Sequence, residues 1–387
     1  MHVCILTLDF LPFRSSGLTI YAESVVEGLA ARGHTVTVVT SYRSNYVQIK
    51  ENKLPDNVSV IRLPIGRADW IGFGLQAARY LRSRDIKYDI IHFADIHFGY
   101  AYYGSFIGSA FQSFRQRLTS YYGRPYHINS LDYLFRLIYY NGARWIMEQP
   151  SLRRATHIIM SSYTTQQEFI KYYHLNPKRT TVIYPGINLS RFEKLPDKTE
   201  SRRRLGLPSD IPILLCVGFF TPRKGVEYLA QALTRLKTPA YLVMVGKWNK
   251  NYLEIFLRAL GDTRSRARVV GYVSDLDLPL YYSAADVFVL PTLLEGFGIP
   301  LVEAMASGLP VITTTGGAAS EVVGNAGIVV KPCDSDALAR AIDLVLNDPD
   351  LAHQLREMGK FRANNLFCQH RFISDLESLY YSFLNKS

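Results

Sequence analysis

The sequence predicts an α/β chain made of two Rossmann-like, doubly wound domains. Three observations carry this. The chain opens with an apolar strand run at His2–Leu8, a turn at Ser15-Ser16-Gly17, a helical pattern over Thr19–Arg32 and a second strand at Thr35–Thr40. Strand, glycine turn, helix, strand is the unit from which parallel sheets are wound. The same order returns at Ile213–Gly218, Phe219–Gly225 and Val226–Leu236. Finally, 387 residues are too many for most single cores.

Composition fits a soluble globular enzyme: 48% hydrophobic residues and 20% charged. No apolar run reaches the roughly 18 residues that cross a bilayer. The opening MHVCILTLDFLPF has neither a basic n-region nor a small-residue cleavage site, so it reads as a first strand and not as a signal peptide. Cys4, Cys216, Cys333 and Cys368 are scattered without a CxxC pair. They read as thiols of a cytosolic protein, with no disulfide and no zinc site. Charge is uneven. Residues 1–190 hold 21 Lys and Arg against 12 Asp and Glu, and the remainder holds 23 against 21. A basic first half suits an anionic partner on that side: a phosphate-bearing acceptor, an anionic membrane surface or nucleic acid.

Taken in order, the first half continues with a strand at Val58–Leu63, a helix at Gly74–Arg84 and a strand starting at Tyr88–His92. The stretch from 99 to 149 interleaves Arg115, Arg117, Arg124, Arg136 and Arg144 with many tyrosines and phenylalanines and with Trp145. Arginine among aromatics suits a lipid headgroup surface or a lipid-diphosphate acceptor, or ordinary aromatic packing. Single-stranded nucleic acid would use the same residue types, but no zinc spacing and no RNP-like string supports it. A helix at Ser130–Met147, a strand at Ala155–Ser161, a helix at Thr164–Tyr173 and a strand from Val182 lead to a polar run at Glu193–Arg204, and the domain switch falls near residue 190.

The second half has strands at Tyr241–Gly246, Val269–Val273, Val287–Leu290, Val311–Thr314 and Gly327–Val330, and helices at Asp334–Leu346, Leu355–Asn364 and Phe372–Leu384. Arg223 and Lys224 stand together where the loop after its first strand meets a helix. Arginine forks onto two phosphate oxygens and lysine acts as a point charge. Asp275-Leu-Asp277 has the spacing of a metal-binding DxD, but Ser274 precedes a helical run, and acidic residues in a first turn complement the helix dipole. No GxGxxG follows Thr7 or Val217, which disfavours a nicotinamide dehydrogenase.

The most informative stretch is Leu290–Gly308, LPTLLEGFGIPLVEAMASG. Gly296 and Gly298 let the backbone bend sharply and approach a ligand. Pro300 sits at a first helical position, where its missing N–H costs nothing. A helix N-terminus seats phosphate. Glu295 lies before that seat and Glu303 just after it. Two carboxylates flanking a phosphate seat match a nucleotide sugar, which carries polyols at both ends of a diphosphate. The bland reading is a solvated helix glutamate beside a plain turn.

This string in its setting, from Ala284 to Val323, resembles the nucleotide-sugar site of the retaining GT-B glycosyltransferases of family 4. The resemblance is strong over 213–346, moderate over 1–40 and 150–192, and poor over 98–149. It implies two domains, 1–190 for the acceptor and 191–369 for the donor, facing across a cleft, with a last helix at about 370–387 crossing back onto the first domain. It implies that Glu295 holds donor-sugar hydroxyls, that Glu303 holds ribose hydroxyls, and that Arg223 and Lys224 clamp the diphosphate. Gly17, Gly218, Tyr272, Val273, Gly296, Phe297 and Gly298 complete the expected donor site. The chain writes Gly17-Leu18 where the family has two adjacent glycines, and Phe219 where many members have an arginine.

A histidine is expected beside the donor sugar. His97 is the first candidate for that catalytic place, with His92 and His127 behind it, and the family position itself falls near Ser109. The resemblance further implies no cofactor and no metal, a glycan or lipid-linked acceptor, and a cytoplasmic protein able to sit peripherally at the inner membrane face. The expected activity is retaining hexosyl transfer, UDP-hexose before GDP-mannose, in surface polysaccharide or glycolipid assembly. A GT-B epimerase acting on the donor alone, or a nucleotide-sugar binder without turnover, would use the same residues.

Overall fold

The computed structural model describes residues 1–12, 17–42, 54–65, 69–83, 87–119 and 130–385. Among these the chain forms two compact units. The first takes the chain up to Leu118, then on to Ile187, and again from Cys368; the second is Asn188–Phe367.

The first unit is built on a seven-stranded sheet: β1 (His2–Leu6), β2 (Thr35–Tyr42), β3 (Val58–Pro64), β4 (Ile90–Phe93), β5 (Ile107–Ala110), β6 (His157–Met160) and β7 (Thr180–Val182). The order is β3-β2-β1-β4-β5-β6-β7, with every neighbour parallel. A parallel sheet is covered on both faces, so its strands read as apolar runs, and successive side chains go to opposite sides. In β1, Cys4 and Leu6 pack with Phe73 and Ala77 of the helix Asp69–Arg82. Val3 and Ile5 pack on the other face with Tyr21, Val25 and Val26 of Gly17–Ala31 and with Phe372, Ile373, Leu376 and Tyr380 of Gln369–Leu384. The last helix therefore belongs to the first unit. It lies close against its neighbour there: a Cβ on Gly28 would sit 2.3 Å from Ile373 Cγ1.

Several elements differ from the sequence reading. β1 ends at Leu6, two residues short of Leu8, and the helix expected from Gly74 begins at Asp69. β5 was not expected at all. It is four residues long and carries Gly108, whose absent side chain leaves room for Ile96; a Cβ there would lie 2.1 Å from Ile96 Cδ1. The helix foreseen over Ser130–Met147 is Ser130–Ala143, followed by one π turn at Arg144–Glu148.

The second unit holds six parallel strands: β8 (Ile213–Val217), β9 (Tyr241–Val245), β10 (Ala267–Gly271), β11 (Val287–Leu290), β12 (Val311–Thr314) and β13 (Gly327–Val330), in the order β10-β9-β8-β11-β12-β13. Strand order reverses between β8 and β11. In open parallel sheets ligands bind at such a switch point, outside the carboxyl ends of the strands. The loops after β8 and β11 are the ones that carry Arg223-Lys224 and Glu295.

Candidate active site

Backbone packing brings these two loops together. After β8 the chain passes Gly218, turns through Pro222–Lys224 and reaches Gly225, which opens the helix Val226–Arg235. Gly225 has φ 60°, and a Cβ on it would stand 2.4 Å from Pro291 O. Only glycine meets both demands cheaply. The Arg223 carbonyl then accepts the amides of Leu293 (2.8 Å) and Leu294 (3.3 Å) and the Thr292 hydroxyl (3.2 Å). Gly218 is itself pinned from behind: its amide donates to Val245 O, and a Cβ on Gly246 would fall 1.8 Å from Gly218 O.

The loop after β12 closes the other side. The Glu295 amide donates to Gly316 O (3.1 Å), and the Ala318 amide donates to Glu295 O (3.0 Å). Gly317 has φ 68°, and its Cβ would meet Glu295 O at 2.2 Å. A Gly317→Ala variant is accordingly expected to lose about 1–3 kcal/mol of stability from backbone strain, and more if the loop cannot give way. Its affinity for the nucleotide that the resemblance implies should fall further than its melting temperature suggests. Thermal unfolding and nucleotide titration of the same sample would check this, and an unchanged affinity would count against the loop's role.

Glu295 is the centre of the cluster. It is buried, and its carboxylate pairs with Lys224 Nζ on one oxygen. The other oxygen lies 3.4 Å from Arg223 Nη1 and 3.3 Å from the Gly296 amide. Burial works against its ionisation, but Lys224 and Arg223 outweigh this and hold the carboxyl below the usual range. Lys224 is equally buried, and that burial draws its ammonium below the ordinary lysine value although Glu295 pulls the other way. Arg223 stays part-exposed. The structure thus joins Arg223, Lys224 and Glu295, 71 or 72 positions apart, into one charged cluster.

Gly298, at φ 101°, leads into the helix Ile299–Ala306, with Pro300 in its first turn and no side chain capping its start. A helix start of this kind presents amide hydrogens and partial positive charge. Phe297 is buried and packs edge-on against Phe367, 5.5 Å between centroids.

Glu303, on that helix, is buried with both oxygens engaged. Oε1 accepts from Arg191 Nη2 at 3.0 Å, and Oε2 from the Tyr282 hydroxyl at 2.8 Å. Burial and the Glu303 charge push the Tyr282 phenol well above its ordinary value, so it stays a donor. Sequence reasoning missed both partners. Tyr282 gives no local signal, and Arg191 sits in what reads as a linker. Arg191 also lies 3.7 Å from Asp275, and Asp277 accepts from the Ser274 hydroxyl at 2.6 Å, so both acids of the DxD spacing have protein partners.

The remaining candidates lie on other elements. Tyr272 and Val273 follow the edge strand β10; Tyr272 is half-exposed under Lys247 Nζ, 4.9 Å above its ring. Gly17 is exposed at the first residue of its helix in the first unit. His127 lies outside the described residues. His92 is buried within β4, with Nδ1 2.7 Å from Tyr380 Oη and Nε2 2.7 Å from Ser109 Oγ; burial lowers its pKa to about 3. It is a neutral core residue, not a loop base.

His97 follows β4 but has no ring nitrogen to spare. Nδ1 lies 2.6 Å from Asp95 Oδ1 and Nε2 3.0 Å from Glu148 Oε1, and the ring packs against Phe114. Burial would lower its pKa, but the two carboxylates overcome this and raise it to about 9. A charged imidazole held at both ends is the centre of a buried ion network.

Comparison with known proteins gives the family of the chain. Residues 197–362 match the family described as glycosyl transferases group 1, and residues 15–191 match glycosyltransferase family 4. The chain is a member of the group 1 glycosyltransferases of GT-B fold. It is 29% identical over 364 residues to an uncharacterized glycosyltransferase of Methanocaldococcus jannaschii, covering 90% of each chain. It is 39% identical over 140 residues to the O-antigen chain mannosyltransferase B of Escherichia coli, 35% of this chain and 36% of that one. Among solved structures, a sucrose-phosphate synthase from Thermosynechococcus elongatus superposes over the whole of both chains with a TM-score of 0.80 at 25% identity.

Proposed function

We propose that this glycosyltransferase moves a hexosyl group from a nucleotide sugar, UDP-hexose in first place, to a glycan or lipid-linked acceptor, with retention at the anomeric carbon. The observation that carries this is the buried Lys224–Glu295 pair beside Arg223, at the point where strand order reverses. Departure of the nucleoside diphosphate is the step that develops charge. Lys224, Arg223 and the amides at the start of Ile299–Ala306 supply the fixed positive field that such a step needs. Glu295, kept ionised by the same two cations, accepts hydroxyls of the donor sugar. Glu303 receives the ribose hydroxyls, which join or displace Arg191, the more exposed of its two partners. The acceptor attacks from the face the diphosphate leaves, and a phosphate oxygen takes its proton. No metal and no cofactor enters this scheme. The acceptor is held by the first unit, at an anionic inner membrane face, in the assembly of surface polysaccharide or glycolipid.

The test is calorimetric titration of UDP, GDP, UDP-glucose and GDP-mannose, without added metal, into the wild type and the Arg223→Ala/Lys224→Ala variant. Binding of UDP and UDP-glucose, weakened at least about tenfold in the variant, is the expected result. Preference for GDP-mannose would replace the donor and keep the site. Wild-type affinity in the double variant would remove the site. Conversion of the donor sugar with no acceptor present would mark an epimerase instead.

A further inference from the structure

The helix Ser130–Ala143 and the π turn after it carry the largest concentration of exposed apolar side chains in the described chain. Phe135 is 76% exposed, Ile138 64% and Trp145 60%, and Leu134, Tyr139 and Ile146 are each more than half exposed. A water-soluble surface scatters such residues singly; a contiguous group marks a binding face. These lie on one short element, and its far end is fixed firmly. Met147 and Glu148 are buried, and Glu148 takes hydrogen bonds from His97, the Phe114 amide and the Tyr173 hydroxyl. The face is therefore presented on a rigid mount.

Charge says what it meets. From Tyr133 to Met147 there is no acidic residue, while Arg136 and Arg144 interrupt the apolar positions. Between Phe111 and Arg154 the chain carries seven arginines and two acids, Asp132 and Glu148. Glu148 is already spent on His97. At the end of the next helix, Gln149–Arg154, Arg154 stacks 4.2 Å from the ring of Tyr103, itself 74% exposed. Tryptophan and tyrosine rings with arginines that keep their heads in the headgroup layer are what a membrane–water interface selects. A second copy of the chain is the poorer occupant, since a twofold contact through this face would gather Arg136 and Arg144 of both copies with no acid between 133 and 147 to offset them. Fourteen helical residues span about 21 Å, short of the roughly 30 Å of hydrocarbon, so the element lies in the plane of the leaflet. Among the described residues no helix is long and apolar enough to cross a membrane.

We infer that Ser130–Ala143 with the turn Arg144–Glu148 is an in-plane anchor that sinks Leu134, Phe135, Ile138, Trp145 and Ile146 into an anionic phospholipid leaflet. This deepens the reading of a membrane-facing first unit by naming the element, and its test does not depend on the donor site.

The full chain would be sedimented with vesicles of equal parts phosphatidylglycerol and phosphatidylcholine, and with phosphatidylcholine alone. The wild type should bind the anionic vesicles, more weakly as salt rises. Phe135→Ser/Ile138→Ser/Trp145→Ser should bind them at least about tenfold less well, because three apolar side chains no longer leave water. The nucleotide affinity and melting temperature of the variant should match the wild type. A second measurement uses a milder change. The fluorescence difference between wild type and Trp145→Phe should shift to the blue on adding anionic vesicles. Absence of vesicle binding, equal binding by the triple variant, an unshifted Trp145 signal, or a wild type that dimerises through this face and ignores vesicles would each overturn the inference.

Discussion

Replacing Lys224 with alanine is expected to slow glycosyl transfer by roughly 10²–10³-fold, the usual cost of removing one fixed charge from a site that stabilises a developing anion. The effect should lie mainly in kcat, because Lys224 is needed most when the diphosphate leaves. A second consequence concerns pH. In the wild type Glu295 has its carboxyl held below the usual range, so the Lys224–Glu295 attraction is present above the ordinary carboxyl pKa and fades only as pH falls through the lower, folded one. Without Lys224 the same burial remains and its largest compensation is gone. The acid limb of donor binding should then move to higher pH. Steady-state kinetics and a nucleotide titration across the acid range would measure both. A Lys224→Ala enzyme within a factor of two or so of the wild type would show that Arg223 and the helix start suffice.

The second large effect is on stability. His97→Ala leaves Asp95 and Glu148 as buried carboxylates without their common cation, and breaking a buried pair in this way costs about 3–5 kcal/mol. For a unit of this size that corresponds to about 10 °C in the melting temperature. The pH dependence has a definite sign. His97 is raised to about 9 in the folded chain and titrates near 6.5 when unfolded, so its stabilisation is complete below about 6.5 and is lost as pH rises through about 9. The wild type should melt progressively earlier over that interval, and His97→Ala should not share the trend. Scanning calorimetry across the interval separates this role from catalysis. A variant that melts like the wild type and has lost turnover would place His97 in the reaction.

Much of this was legible in the residues, for reasons that also explain the gaps. Buried parallel strands such as β1, β8 and β9 are near-continuous apolar runs, β2 interleaves valine with threonine, and the glycine turn into Ile299–Ala306 needs the very residues that announce it. β5 escaped because four residues containing Gly108 and Ser109 make no apolar run; its burial is decided by Ile96 and by the strands on either side. The same limit applies in the site. Glu295 and Lys224 could be named from their local strings, but their direct pairing depends on two loops that meet 71 positions apart. Arg191 and Tyr282 were missed because their meaning lies in Glu303, and the ion network around His97 was missed because Glu148, 51 positions on, is invisible from its neighbourhood.

The return of Gln369–Leu384 to the first unit has a consequence for how the chain is made. The ribosome finishes the second unit, Asn188–Phe367, before it has produced Phe372, Ile373, Leu376 and Tyr380. The usual order of vectorial synthesis, in which the earlier unit closes first, is not open to this chain. Until those four side chains emerge, Val3, Ile5, Tyr21 and Val25 lack part of their cover, so the first unit cannot complete its core before the whole of the second has been synthesised. A stop codon placed after Phe367 would therefore spare the unit nearest the truncation and damage the one farthest from it in the message.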